Sequence, residues 1–151
     1  MEQEFSILKT TRENIQGLMS SFSADQLVKI PENFKNNLLW NYGHVIVTQQ
    51  VLCYKLAGIK MNISDDIIDK YKKGSIPSGE INPDDLKIFN ELCFRNVELL
   101  DSDYKKGLFS TYTKYQTSYG FELNSIEDAI KFNNSHEALH LGYMMALKKY
   151  L

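Results

Sequence analysis

Two of the chain's three histidines stand four residues apart in Asn134-Ser135-His136-Glu137-Ala138-Leu139-His140-Leu141-Gly142. On a helix, positions i and i+4 lie one above the other with Cβ atoms about 5–6 Å apart, so both rings can aim at one point, the spacing that chelates a metal ion. The third, His44, lies far upstream in Trp40-Asn41-Tyr42-Gly43-His44, on what reads as another helix. A lone histidine on an apolar face is most simply a hydrogen-bonded core residue. Burying three imidazoles without a common partner is costly, so the expectation is one divalent metal held by His44, His136 and His140. Neutral imidazoles suit zinc or nickel, and also iron or cobalt. Three protein ligands leave at least one position open to water or substrate, as catalytic sites do.

His136-Glu137-Ala138-Leu139-His140 also matches H-E-x-x-H, the zinc-peptidase signature in which the glutamate is the general base. The context argues against it. The tail Leu141 to Leu151 contains no Asp, Glu, Cys or His to supply a third ligand, so that ligand has to come from upstream. In the longer form, H-E-x-x-H-x-x-G-x-x-H, Tyr143 stands in place of the glycine and Ala146 in place of the last histidine. The simpler expectation for Glu137 is a polar residue one position round from the ligand face, and no catalytic residue is assigned.

Four long helical patterns have to position these side chains. From Glu2 to about Phe22, Phe5, Leu8, Ile15, Leu18, Met19 and Phe22 recur at helical spacing. Ser23-Ala24-Asp25-Gln26 opens a short turn as a capping box, and Pro31 closes it. Asn37 to Leu56 is apolar almost all round, a central helix stopped at Gly58 with His44 in its middle. A short helix begins at Asn62-Ile63-Ser64-Asp65-Asp66, and Gly74 to Pro83 reads as a loop. Pro83-Asp84-Asp85 opens the third long helix, which Asp101 to Lys106 ends. Tyr112 to Gly120, rich in aromatic and β-branched residues, suits a short hairpin or an extended lid. Asn124-Ser125-Ile126-Glu127 caps the final helix, which runs to about Lys149.

By face arithmetic Ala129, Phe132, Leu139, Tyr143 and Leu147 lie within roughly 60° of His136. Trp40, Val47, Thr48 and Val51 flank His44 in the same way, while Cys53 falls about 180° from it. Asn37, Asn41, Thr48 and Asn133 are placed to accept the second ring N–H of a ligand. Tyr112, Tyr115 and Tyr119 are candidates for the mouth of the site. The predicted fold is all-α, a four-helix bundle forming a single domain over residues 1–151, with the second and last long helices adjacent.

Composition limits the partners. A formal net charge of −2, from 17 basic and 19 acidic residues without long runs of either sign, gives no footprint for nucleic acid or an anionic membrane. No segment is apolar enough to span a bilayer. Cys53 and Cys93 fall inside apolar helical patterns, and the start Met1-Glu2-Gln3-Glu4 has no signal-peptide features, which points to the cytoplasm.

The helix bearing Asn37 and Trp40-Asn41-Tyr42-Gly43-His44, with the late His136-Glu137-Ala138-Leu139-His140-Leu141-Gly142, resembles the DinB-like (damage-inducible) superfamily across most of the chain. The resemblance implies a four-helix bundle with one histidine ligand on the second helix and two on the last, which here are His44, His136 and His140. Many relatives carry a Gln soon after the last ligand, where this chain has Tyr143. The resemblance further implies a metal-dependent enzyme acting on a small molecule with a low-molecular-weight thiol as cosubstrate, or a hydrolase, often as a homodimer. A non-catalytic metal-binding protein of stress response is the alternative of another class, and an H-E-x-x-H peptidase a minor one.

Overall fold

The computed structural model describes residues 1–151. The first helix, α1, spans Glu2–Met19, with Glu2 and Glu4 in its first turn at the positive end of the helix dipole. Ser23 and Gln26 form the expected capping box at the start of α2, Ala24–Val28. The Asn37 side chain accepts from the Trp40 amide at 2.8 Å and so begins α3, Leu38–Gln50. That helix runs on through a π turn at Val51–Lys55, and Gly58, at φ 73°, closes it in the left-handed region that glycine tolerates. Ser64 caps α4, Asp65–Tyr71. Asn82 caps α5, Pro83–Lys105, with Pro83 in the first turn, where its missing N–H costs nothing. The aromatic segment forms a hairpin of two-residue strands, β1 (Tyr115–Gln116) antiparallel to β2 (Glu122–Leu123). Ser125 caps α6, Ile126–Leu147, which ends in a 3-10 turn at Lys148–Tyr150. The reciprocal acid at that cap is Asp128, whose carboxylate accepts from the Asn124 amide, rather than Glu127.

The four long helices make the bundle, with α1 against α5 and α6, and α3 against α5 and α6. Helices consecutive in sequence therefore sit on diagonals in two cases, α1 with α3 and α5 with α6. A simple up-down order would put consecutive helices side by side and leave the second and last on a diagonal. Here residues 20–37 and 106–125 carry the chain across the bundle, and the second and last long helices become neighbours.

The core divides into two apolar clusters. One surrounds Ile15, Leu38, Ile46, Phe89 and Met144, and the other surrounds Leu8, Leu52, Leu100, Ala129 and Ile130. A polar layer lies in the bundle with them. Arg12 of α1 and Glu137 of α6 are both fully buried there. The guanidinium donates from Nε to Glu137 Oε2 at 2.5 Å and from Nη2 to Oε1 at 2.7 Å. It also reaches Gln49 Oε1 and the Val45 carbonyl on α3, and the Cys93 carbonyl on α5. One side chain thus ties all four long helices. Burial works against the guanidinium's charge, but Glu137 more than offsets it and holds the group above its ordinary pKa.

Candidate metal centre

His44 is seated by a close approach between α3 and α4. A Cβ on Gly43 would lie 2.5 Å from Cδ1 of Tyr71 and 2.7 Å from Cζ of Phe89, so only glycine admits those two rings. Tyr71 is the last residue of α4, and its carbonyl is one of those a helix end leaves without an intrahelical partner. It accepts from His44 Nδ1 at 2.7 Å. A carbonyl can only accept, so Nδ1 carries the proton and Nε2 keeps its lone pair. The Tyr71 hydroxyl donates to buried Asp85 at 2.9 Å, which anchors the seat to the start of α5. On its other face the imidazole stacks on Trp40, with centroids 4.5 Å apart and planes 10° from parallel.

His140 is set in the same manner. Its Nδ1 lies 2.8 Å from Asn41 Oδ1. The amide orientation follows from its other end, where Asn41 Nδ2 donates to the Asn37 carbonyl at 2.7 Å and to Asn36 Oδ1 at 3.0 Å. The oxygen must then face the histidine, and Nε2 of His140 is again the free acceptor. His136 completes a triangle with them, its ring centroid 5.2 Å from His44 and 4.5 Å from His140, which are 4.8 Å from each other. Its Nδ1 is buried without a hydrogen-bond partner.

The three imidazoles bring one ligand atom each to within 4.8 Å of one another. Burial, then repulsion by His140 and His44, holds His136 down to about 2. Burial and His44 hold His140 down to about 4. His44 is lowered by burial, a shift that the Tyr71 hydrogen bond opposes and the charge of Lys73 reinforces. All three are neutral near pH 7, the form that ligates metals. Two fixed tautomers, three lone pairs and one orphaned buried nitrogen fit a divalent ion with imidazole preference.

Of the four residues expected to accept a ligand's second N–H, Asn41 does so. Thr48 Oγ1 lies 3.4 Å from Nε2 of His44, on the ligating side. Asn37 is spent on the α3 cap and on the Val28 and Ser78 carbonyls, and Asn133 donates to Glu137. The Tyr71 carbonyl was not legible in advance, because a backbone acceptor leaves no mark on residue type. Face arithmetic holds for Ala129, Phe132 and Leu147 but not for Leu139, which is 54% exposed. Tyr143, by contrast, is half-buried edge-on to Phe34. Glu137 is off the ligand face, as expected, but fully buried. It points away from the histidines into the polar layer, where both its oxygens are engaged by Arg12.

A cleft of about 430 Å³ opens over the triad and includes all three histidines in its lining. Val47, Val51, Leu52, Ile68 and Phe132 give it apolar walls, and Tyr115, Thr117, Ser118 and Tyr119 of the hairpin form part of its rim. Tyr112 is not there; its hydroxyl donates to the Leu52 carbonyl and its ring packs on the second apolar cluster. Both cysteines are fully buried, and burial pushes both thiols up. No helix is long and apolar enough to cross a membrane.

The family model described as DinB superfamily matches residues 7–144, a span that takes in all three histidines, the whole of α3 and α5 and most of α1 and α6. No curated protein matches the chain.

Proposed function

The chain belongs to the DinB superfamily, and from that premise we propose that it is a metal-dependent enzyme whose His44, His136 and His140 hold one divalent ion, zinc or nickel ahead of iron or cobalt. The observation that carries the reading is the triad itself: ligand atoms within 4.8 Å of one another, two of the three rings locked by Nδ1, and a cleft leading to them. The chemistry such an ion supplies when bound is Lewis acidity, which lowers the pKa of a thiol or a water at the open position and readies it to attack a small electrophile.

The chain's own contribution is to hold and orient. Trp40 fixes the plane of His44, while Tyr71 and Asn41 fix the tautomers. No Asp or Glu lines the cleft, so no side-chain carboxylate stands ready as general base. Cys53 and Cys93, buried with raised thiol pKa values, are not the nucleophile. In this reading the nucleophile comes from outside the chain, as a low-molecular-weight thiol in a transferase or as water in a hydrolase.

The test is elemental analysis of protein purified without chelator or His-tag, alongside His44→Ala, His136→Ala and His140→Ala. Each variant is expected to lose stoichiometric metal, and retention by His44→Ala would overturn the cross-helix triad. Metal-loaded protein is expected to turn over electrophiles or esters in the presence of small thiols, with chelation abolishing the rate. A broad panel without metal-dependent turnover would leave metal binding without catalysis.

A further inference from the structure

The lining of the cleft over the triad is one-sided in charge. It contains Lys55, Lys72 and Lys73 and neither Asp nor Glu, in a chain whose acidic residues outnumber its basic ones 19 to 17. Lys72 is engaged by Asp69 at 2.6 Å. Lys55 and Lys73 have no ion-pair partner. They reach the cleft from different elements, Lys55 from the π turn that extends α3 and Lys73 from the segment after α4. The same lining offers the apolar side chains of Val47, Val51, Leu52, Ile68 and Phe132.

Two uncompensated ammonium groups at a concave, partly apolar site concentrate positive potential there and attract anions. They disfavour a cationic ligand and, by the cost of removing a charge from water, a purely apolar one gains nothing from them. We propose that the cleft selects a small organic anion, its carboxylate or phosphate-type head between Lys55 and Lys73 and its apolar body against Val51, Ile68 and Phe132. That this anion is a substrate or cosubstrate rests on the metal-centre reading above; its binding does not.

The probes are 4-phenylbutyrate and its neutral amide, 4-phenylbutyramide, titrated calorimetrically into both zinc-loaded and metal-free protein. The acid is expected to bind about fivefold or more tightly than the amide in both forms, the gain that two exposed ion pairs can supply. The gap should close as salt is raised, because exposed charges are screened. In the Lys55→Gln/Lys73→Gln variant the acid should fall to the level of the amide while amide affinity and zinc content stay unchanged. Equal binding of acid and amide by metal-free protein would overturn the proposal, as would undiminished acid binding by the double variant. Failure of the triad to hold zinc would instead appear in the metal content alone, since the metal-free titration reads the lysines without it.

Discussion

Glu137→Gln separates a structural glutamate from a catalytic one. Arg12 donates two parallel hydrogen bonds to the two Glu137 oxygens, and Asn133 Nδ2 donates to Oε1 at 2.8 Å. A glutamine keeps the shape but offers one acceptor, turns an NH2 against a donor and leaves the fully buried guanidinium without its counter-charge. Breaking a buried pair from one side costs about 3–5 kcal/mol, and the surviving acceptor puts this change near the low end, about 3 kcal/mol. For a chain of 151 residues each kcal/mol moves the melting temperature by roughly 2–4 °C, so a fall of about 6–12 °C is expected. Thermal unfolding followed by circular dichroism, with and without zinc, reads it. Arg12→Met/Glu137→Leu should recover much of the loss, because apolar replacement of both partners is often neutral or stabilising. Should Glu137→Gln melt within about 2 °C of the parent, less than 1 kcal/mol, and abolish turnover instead, the structural account would be refuted and a general-base role restored.

The seat of His44 and the neutrality of the triad give two further expectations. Gly43→Ala forces a Cβ to within 2.5 Å of the Tyr71 ring, overpacking that costs about 1–3 kcal/mol; by displacing the carbonyl on His44 it should weaken zinc binding about 10- to 100-fold in a competition titration, and unchanged affinity would show the seat to be dispensable. In metal-free protein His140 is held down to about 4 and His136 to about 2, against an ordinary value of 6.5. The unfolded chain thus binds protons that the folded one refuses, and stability present above about pH 6.5 should fall as the pH drops toward about 4. A urea midpoint equal at pH 7.5 and pH 5 would contradict this.

The triad and the helices were legible because both leave periodic marks. Histidines at 136 and 140, and a third within an apolar helix, follow from spacing alone. What escaped has no such mark. A π turn such as the one at Val51–Lys55 inserts itself without a distinctive residue. Arg12 did carry a signal: it lies between Leu8 and Ile15 at i+4 and i−3, on the stripe that must be buried. A charge on that stripe requires a buried partner of opposite sign, and Glu137, one position round from the ligand face, is a carboxylate able to supply it. The diagonal order of the helices was hidden because loop length alone does not say which edge of a bundle a connection crosses.

The same five-residue motif therefore serves two faces of one helix. At about 100° per residue, His136 and Glu137 cannot look at the same point, whereas His136 and His140 can. The Arg12–Glu137 pair fixes the rotation of α6 against α1 through two directional hydrogen bonds, which apolar packing alone does not do. With Glu137 pinned to the bundle interior, His136 and His140 are turned toward α3, where Tyr71 and Trp40 hold His44 ready. A buried ion pair is weak as a source of stability but well suited to setting register. In this bundle the register it sets is the one that brings the three histidines together.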